Sequence, residues 1–314
     1  MIKTSLKNEV SMKRVAVFAH FDKNNIIQDY VVYYLSGLKK CAEKIIFVSD
    51  SDIPSDELKK IDKIVEHSIV GKHGEYDFGS YKRGFIYAKE NGLLDDCEEL
   101  IFANDSCYAP LYPFDEMFSV MSPKELDFWG VMSSDSGVDK QDEEKLMRYN
   151  HIQSYFIVFK PNVFNSEIFK NFVISITKQE KKEDVVFKYE MGMTHLLEIN
   201  GFKYNSYSQI CKEIPSAYLN AYWMLIKKER ISFLKRSIVL YRDSSGFYPM
   251  FIKHLIEKYT NYDYSLIKKD KKMNAKYLTV LEHLKLGFEG YRRFFYRRRR
   301  KERLICFLGN WYKY

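Results

Sequence analysis

Glu98-Glu-Leu-Ile-Phe-Ala-Asn-Asp-Ser-Cys-Tyr-Ala-Pro110 is the stretch whose reading decides the fold of this chain. Its apolar run, Leu100 to Ala103, stops abruptly at Asn104, Asp105 and Ser106, and Pro110 and Pro113 forbid a regular continuation. This is the profile of a buried strand whose end delivers polar side chains into a crevice. In open α/β sheets, ligands bind at such strand ends. A carboxylate flanked by an amide and a hydroxyl suits a hard divalent cation, Mg2+ or Mn2+, and the phosphates that accompany it. A plain strand-to-turn transition through Asx and Ser turns explains the same residues.

Working outward, Arg14-Val-Ala-Val-Phe-Ala19 reads as the first strand and ends at His20-Phe-Asp22. Asn24 or Asn25 can cap a helix through Ile26, Ile27, Tyr30, Val31, Tyr34, Leu35 and Leu38, which fall at helical period. Lys44 to Ser49 is a second strand, Asp56 to Ile61 a short helix, and Lys63 to Val70 a third strand. Alternating strands and helices predict a parallel sheet joined by right-handed crossovers. Gly71 to Gly84 reads as a glycine-rich loop running into a helix through Phe85, Ile86 and Ala88. Such a loop offers free backbone N–H groups to an anion. Lys82 and Arg83 can neutralise phosphate there, and Asp77 can accept from a ribose or base. The spacing matches neither the P-loop nor GxGxxG.

Beyond the central stretch, Phe114 to Met121 reads as an amphipathic helix and Asp127 to Met132 as a strand. Ser133 to Asn150 is a long polar loop, placed near the site as a lid. His151 to Phe159 is a strand with a polar start (His151, Gln153, Ser154) that can face an acceptor; a strand entering from a loop explains it equally well. Glu183 to Asn200 reads as a helix stopped by Gly201. At about 100° per residue, Val185, Val186, Tyr189, Met193, Leu196 and Leu197 share a face, with Glu190 at its edge. A partly desolvated carboxylate suits proton abstraction; spacing alone is explained better by an edge ion pair. Gly201 to Tyr207 is a further short strand. Tyr218 to Ser237 and Pro249 to Tyr259 suggest helices packed on the sheet domain or a small C-terminal subdomain.

The 314 residues divide into a leader (1–13), an α/β domain (14–210), a helical region (211–284) and a basic tail (285–314). Of the 50 Lys/Arg and 42 Asp/Glu, ten and two fall in residues 285–314, so the whole net charge of +8 lies in that tail. The balanced body gives no support to nucleic acid as a partner. In the tail, arginines interleave with Phe294, Phe295, Trp311, Tyr312 and Tyr314, as suits an interfacial helix on an anionic membrane surface; a nucleic-acid patch or a solvated arm fits the same residues. No apolar run approaches the about 20 residues of a membrane span, and residues 1–10 lack an apolar signal core. The expectation is a cytoplasmic protein, peripheral at the inner face of the cell membrane. Five cysteines without CxxC spacing suggest reduced thiols and no structural zinc.

Several of these words in order resemble the rhamnan synthesis protein F family of bacterial polysaccharide glycosyltransferases. They are Val17-Phe-Ala-His-Phe-Asp22, Asp29-Tyr-Val-Val-Tyr-Tyr34, Ile46-Phe-Val-Ser49, Tyr76-Asp-Phe-Gly-Ser-Tyr-Lys82, Ala103-Asn-Asp-Ser-Cys-Tyr108, Asp127-Phe-Trp-Gly130, Gln153-Ser-Tyr-Phe156 and Tyr189-Glu-Met-Gly-Met-Thr194. The chain departs from the family pattern at Glu75 and Ala109, where glycine is usual. The resemblance implies an α/β fold of GT-A type, with a Rossmann-like, mostly parallel sheet, flanking helices and a helical C-terminal extension. It implies an inverting transferase that moves rhamnose from dTDP-L-rhamnose to a lipid-linked or polysaccharide acceptor of the cell surface. It places a divalent cation on Asp105, although Cys107 stands where an Asp-x-Asp motif has its second carboxylate. The donor would lie among His20, Asp22, Ser49, Tyr76, Asp77, Lys82, Arg83, Asn104 and Ser106, the acceptor by His151 and Gln153, and Glu190 would take the base's place. The competing class is a non-catalytic glycan- or nucleotide-binding subunit that docks a synthase at the membrane.

Overall fold

The computed structural model describes residues 12–134, 150–210, 218, 221–240, 252–274, 304–307 and 310–313. The expected leader up to residue 11, most of the polar lid loop and the arginine run of the tail lie outside these residues.

The strand-forming runs fold as their composition dictates. β1 (Arg14–His20), β2 (Lys44–Ser49) and β4 (Glu99–Asn104) are almost wholly buried and rich in Val, Ile and Phe. That is the composition of strands covered on both faces. β3 (His67–Val70) is half-buried at the sheet edge and four residues shorter than the Lys63–Val70 run. Residues 63 and 64 instead finish the turn that follows α2 (Ser55–Leu58). β3, β2, β1 and β4 are parallel neighbours, with β1 between β2 and β4. The chain therefore builds outward from β1 first to one side and then to the other. That reversal opens a crevice beyond the carboxyl ends of β1 and β4.

The second half of the sheet is mixed. After the short β5 (Cys107–Tyr108) and α4 (Phe114–Met121), β6 (Phe128–Ser134) is followed by β7 (His151–Ile152) and β8 (Phe156–Phe159). β8 inserts antiparallel between β4 and β6, and β9 (Tyr204–Ser208) adds parallel to the far side of β6. β7 and β8 return along one edge of β6, but β6 advances only from Gly130 to Ser133 while its partner runs from Ile157 to Ile152. The surplus falls at Gln153–Tyr155, a bulge that bends the strand. Gly130 makes room for it, because a Cβ there would overlap Ile152.

Helices cover both faces. On one, α1 (Asp29–Leu38) buries Tyr30, Val31, Tyr34, Leu35 and Leu38 beside α4. Asn24 and Asn25 do not cap it; Gln28 precedes its first turn, and Asn25 sits in the left-handed region at φ 58°. On the other face lie α3 (Tyr76–Glu90), α5 (Pro161–Phe164), α6 (Glu167–Ile174), α7 (Lys182–Val185), a π turn (Val186–Met191) and α8 (Gly192–Ile199). The expected Glu183–Asn200 helix is thus interrupted by one i→i+5 turn.

The glycine-rich loop is shorter than its composition suggests. Helix α3 begins at Tyr76, so Gly79 and Gly84 lie inside it. Close packing explains this: a Cβ on Gly84 would overlap the Val17 side chain of β1. C-terminal elements α9 (Tyr222–Lys227), β10 (Leu234–Lys235), α10 (Arg236–Leu240), α11 (Ile252–Tyr259) and α12 (Tyr264–Asn274) complete the face that carries α1. β10 pairs antiparallel with β5. In the tail, β11 (Leu304–Phe307) and β12 (Asn310–Lys313) form an antiparallel pair, which corrects the interfacial-helix reading for those residues. No helix among the described residues is long and apolar enough to cross a membrane.

Gly84→Ala tests the α3–β1 approach. Alanine ordinarily stabilises a helix interior by about 0.5–1 kcal/mol over glycine. Here overpacking against Val17 is expected to reverse the sign, with a net loss of roughly 1–3 kcal/mol in urea unfolding.

Candidate functional site

A cavity of about 500 Å³ opens where the strand order reverses. Its walls come from the end of β1 (Ala19, His20, Phe21), Asp50 after β2, the start of α3 (Gly74, Tyr76, Asp77, Ser80), and Asn104, Asp105 and Ser106 after β4. A segment between α6 and α7 closes one side with Lys178, Gln179, Glu180 and Lys182. The volume falls in the range of small-molecule sites.

The end of β4 is held by its own polar side chains. Asn104 Oδ1 accepts from Ser106 N at 3.1 Å and from Ser106 Oγ at 2.6 Å, a tight Asx turn. Its amide, Nδ2, donates to Asp77 Oδ2 at 2.9 Å, which ties the strand end to the first turn of α3. Asp105 Oδ2 accepts from Phe21 N at 3.1 Å. The Asp105 carbonyl accepts from the Tyr30 hydroxyl at 3.2 Å and from Arg236 Nη1 at 3.4 Å. Arg236 in turn makes two bonds of 2.9 Å to the buried Asp270 carboxylate. Burial pushes the Asp105 carboxyl up to about 6, against the pull of Arg236 and the Phe21 amide and with added repulsion from Asp22 and Asp270.

Asp77 lies across from it. Its Oδ2 accepts from Asn104 and, at 3.3 Å, from Ser154 Oγ; its Oδ1 accepts from Phe78 N at 3.2 Å. Burial first, then the neighbouring Glu190 charge, pushes its pKa up to about 6, while Lys182, Ser154 and Asn104 oppose the rise. His20, also in the wall, donates or accepts through Nδ1 with Ser49 Oγ at 2.9 Å. Burial drops its pKa to about 4, so the ring is neutral at physiological pH.

Glu190 sits behind this wall rather than in it. It falls on the π turn, and its Oε1 accepts from Ser154 N at 2.8 Å, the amide that the β-bulge leaves without a ladder partner. The Tyr81 hydroxyl donates to Ser154 O at 2.8 Å and satisfies the carbonyl of the same residue. The residue before Glu190 does parallel work: the Tyr189 hydroxyl donates to Thr177 O and accepts from Thr177 N and Gln179 Nε2, each at 2.9 Å. One π turn therefore fixes both the bulge and the lysine-bearing segment 178–182.

Several residues that the sequence nominated lie elsewhere. Lys82 Nζ donates to Ile176 O at 2.8 Å, and Arg83 Nη1 pairs with Glu75 at 2.7 Å; neither lines the cavity. With α3 starting at Tyr76, both lie beyond its first turn. Asp22 turns its carboxylate to Asn24 N and Gln28 Nε2 ahead of α1, and Ser49 is spent on His20. His151 and Gln153 are buried around the bulge, outside the cavity wall, with Gln153 Oε1 unpaired among the described residues. The cavity's cations are Lys178 and Lys182, in a stretch without glycine or apolar period to single it out. Asp50 was also passed over; its Oδ1 accepts from His73 N at 2.6 Å and Gly74 N at 2.9 Å and shapes the approach to α3. Its place directly after the second strand was the available signal.

A crevice at a strand-order reversal, with a carboxylate on one strand end and lysines across it, defines an α/β protein with a polar cavity at its strand ends. The particular family follows from comparison: the rhamnan synthesis protein F family matches residues 45–287, and the chain belongs to it. A curated relative, the uncharacterized protein y4gN of Sinorhizobium fredii, is 22% identical over 162 residues, 52% of this chain and 40% of its own length. The chain thus spans about two fifths of that relative. Among solved structures, the mannosyltransferase Ktr4p of Saccharomyces cerevisiae aligns over 57% of this chain and 62% of its own, at 10% identity and a TM-score of 0.36. A 4-diphosphocytidyl-2C-methyl-D-erythritol synthase from Anaerococcus prevotii covers 62% and 88%, at 13% identity and a TM-score of 0.36.

The raised pKa of Asp77 has a stability consequence. An acid held at about 6, above its ordinary 3.8, favours folding fully below pH 4 and loses that contribution as pH rises through 6. Asp77→Asn is therefore expected to match the wild type in thermal melts at pH 4 and to exceed it at pH 7.5.

Proposed function

We propose that this chain is a nucleotide-sugar-dependent glycosyltransferase of bacterial cell-surface polysaccharide synthesis. The donor is a nucleoside-diphosphate sugar, with dTDP-L-rhamnose the form that membership of a rhamnan-synthesis family favours. The acceptor is a lipid-linked or polysaccharide hydroxyl. The observation that carries this reading is the cavity itself, which presents Asp105 at the end of β4 and Lys178 and Lys182 on the facing segment.

The cavity wall holds four carboxylates (Asp50, Asp77, Asp105, Glu180) and two lysines. A bare diphosphate entering this field meets excess negative charge, so a divalent cation suits the site. Asp105 has the donor chemistry for one: a carboxylate oxygen on a strand end, with phosphate and water oxygens left to complete the shell, as Mg2+ commonly binds. Among the described residues no group of three or more His, Cys, Asp or Glu could cage a metal without a substrate. The cation supplies charge neutralisation of the leaving diphosphate. Lys178 and Lys182 add to it from the opposite wall. Phe21 and Tyr76, 58% and 39% exposed, give the cavity mouth aromatic surface for a base or sugar ring.

The acceptor oxygen then attacks the anomeric carbon as the diphosphate departs, and a carboxylate on the α3 side takes its proton. A β-linked donor gives an α-linked product with inversion. The basic tail holds the protein at the anionic inner face of the membrane, where a lipid-linked acceptor lies.

Release of dTDP from dTDP-L-rhamnose, with Mg2+ or Mn2+ and with or without lipid-linked acceptor, tests the reading. Asp105→Asn is expected to cut metal-dependent release by about a hundredfold, a loss of roughly 3 kcal/mol. The Lys178→Ala/Lys182→Ala pair should weaken donor binding at least about tenfold, and Lys82→Ala or Arg83→Ala by far less. Donor that binds without any turnover would make this chain a binding subunit instead.

A further inference from the structure

We infer that Asp77, and not Glu190, is the carboxylate that accepts the proton of the attacking hydroxyl, and that Glu190 is a positioning residue acting through Ser154. This rests on the glycosyl-transfer reading of the cavity and names the base within it.

Position decides first. A general base must reach the proton it abstracts directly or through one water. Asp77 lines the cavity and Glu190 does not. Glu190 Oε1 is taken up by the Ser154 amide at 2.8 Å, so its carboxylate holds the bulge. Moving that oxygen to a substrate would strand a bulge N–H at a cost of about 1–3 kcal/mol.

The other carboxylates of the cavity are committed or solvated. Asp50 accepts two backbone N–H groups on Oδ1, and its Oδ2 faces the His73 ring at 3.7 Å. Asp105 is the group suited to the cation and carries the Phe21 amide on Oδ2. Glu180 is exposed, and no hydrogen bond among the described residues fixes its carboxylate toward the cavity.

Asp77 is held for the task. Asn104 Nδ2 and Ser154 Oγ converge on Oδ2, which leaves Oδ1 only the long bond from the adjacent Phe78 amide. The ring of groups around it is Glu190 and Lys182, with opposite effects, and the neutral Asn104, Ser154 and Tyr81. Glu190 thereby plays two parts at once. It fixes the backbone of Ser154, whose side-chain hydroxyl orients Asp77, and its charge makes Asp77 more basic.

The step balances. The acceptor oxygen forms a bond to the anomeric carbon. The bond from that carbon to the diphosphate oxygen breaks, and its electron pair leaves with the nucleoside diphosphate. The hydroxyl proton passes to Asp77 Oδ1.

The experiment pairs Asp77→Asn with Glu190→Gln in the full chain, measuring turnover against pH and dTDP binding by calorimetry. Asp77→Asn is expected to lower turnover about a thousandfold, within the usual 10²–10⁴ for a general base, with dTDP affinity held within about threefold. Glu190→Gln, which can still accept from Ser154 N, should lose about tenfold at most at pH 8 and move the acid limb of the profile to lower pH. A merely structural Glu190 would leave that limb in place. Asp77→Asn with near wild-type turnover overturns the assignment. So does an Asp77→Asn that loses dTDP affinity while keeping turnover, or a Glu190→Gln that is dead at every pH. A wild type that binds dTDP but never turns over donor overturns the transferase reading, and this assignment with it.

Discussion

The hydrogen bond from the Asn104 amide to Asp77 is the joint on which this architecture turns. It links the carboxyl end of β4 to the amino end of α3, the two elements whose tips frame the cavity. Asn104 is buried and Asp77 half-buried at the cavity wall, and a carboxylate so desolvated without donors would be costly. The fold therefore supplies them from three directions: Asn104 from the sheet, Ser154 from the bulge and the Phe78 amide from the helix. The bulge exists because β7 and β8 carry surplus residues past β6, and its freed peptide needs partners of its own. Glu190 and Tyr81 provide them. Remove any one of these pieces and the next is left with an unsatisfied polar group.

Two glycines carry the close packing that makes this possible. Gly84 lets α3 sit on Val17 of β1, which brings the amino end of the helix over the strand ends. Gly130 lets the bulged chain pass β6. In both places a conformationally costly residue is kept for the absence of a side chain rather than for a left-handed φ. Tyr76 shows the converse, a bulky residue in the left-handed region at φ 58°, where the chain turns into α3 and the ring is left at the cavity mouth. Such conformations persist when the surrounding structure over-determines them.

The strands around the site were legible because burial on both faces leaves long runs of Val, Ile and Phe, as in Arg14–Ala19, Lys44–Ser49 and Leu100–Ala103. The polar residues directly after those runs, His20, Asn104, Asp105 and Ser106, could be read into the crevice for the same reason. The start of α3 was hidden, since Gly79 and Gly84 look like loop residues until the β1 contact is known. Lys82 and Arg83 were misplaced with it. Glu190 was visible as a helix-edge carboxylate, but the π turn and the bulge that give it a partner arise from register, which no local pattern encodes. Lys178 and Lys182 reach the cavity only because Tyr189 anchors their segment, a tertiary effect.

The C-terminal region, the part of the sequence hardest to read, bears directly on the site. Arg236 and Asp270 form a two-pronged ion pair beneath the β4 end, joined by the Tyr108 hydroxyl at 2.7 Å, and Arg236 lies 4.5 Å from the Tyr30 ring centre. Arg236 also reaches the Asp105 carbonyl, and its backbone N–H donates to Ser106 O at 2.9 Å. Its guanidinium is paired with Asp270, and its charge still opposes the rise that burial imposes on the Asp105 pKa. It holds the backbone of the Asp105 loop through the carbonyl oxygens of Asp105 and Ser106. Asp105 and Asp77 are thus kept apart by separate scaffolds, one C-terminal and one built on the bulge. That separation sets one carboxylate just past the end of β4 and the other in the first turn of α3, each held by its own supports in the cavity wall.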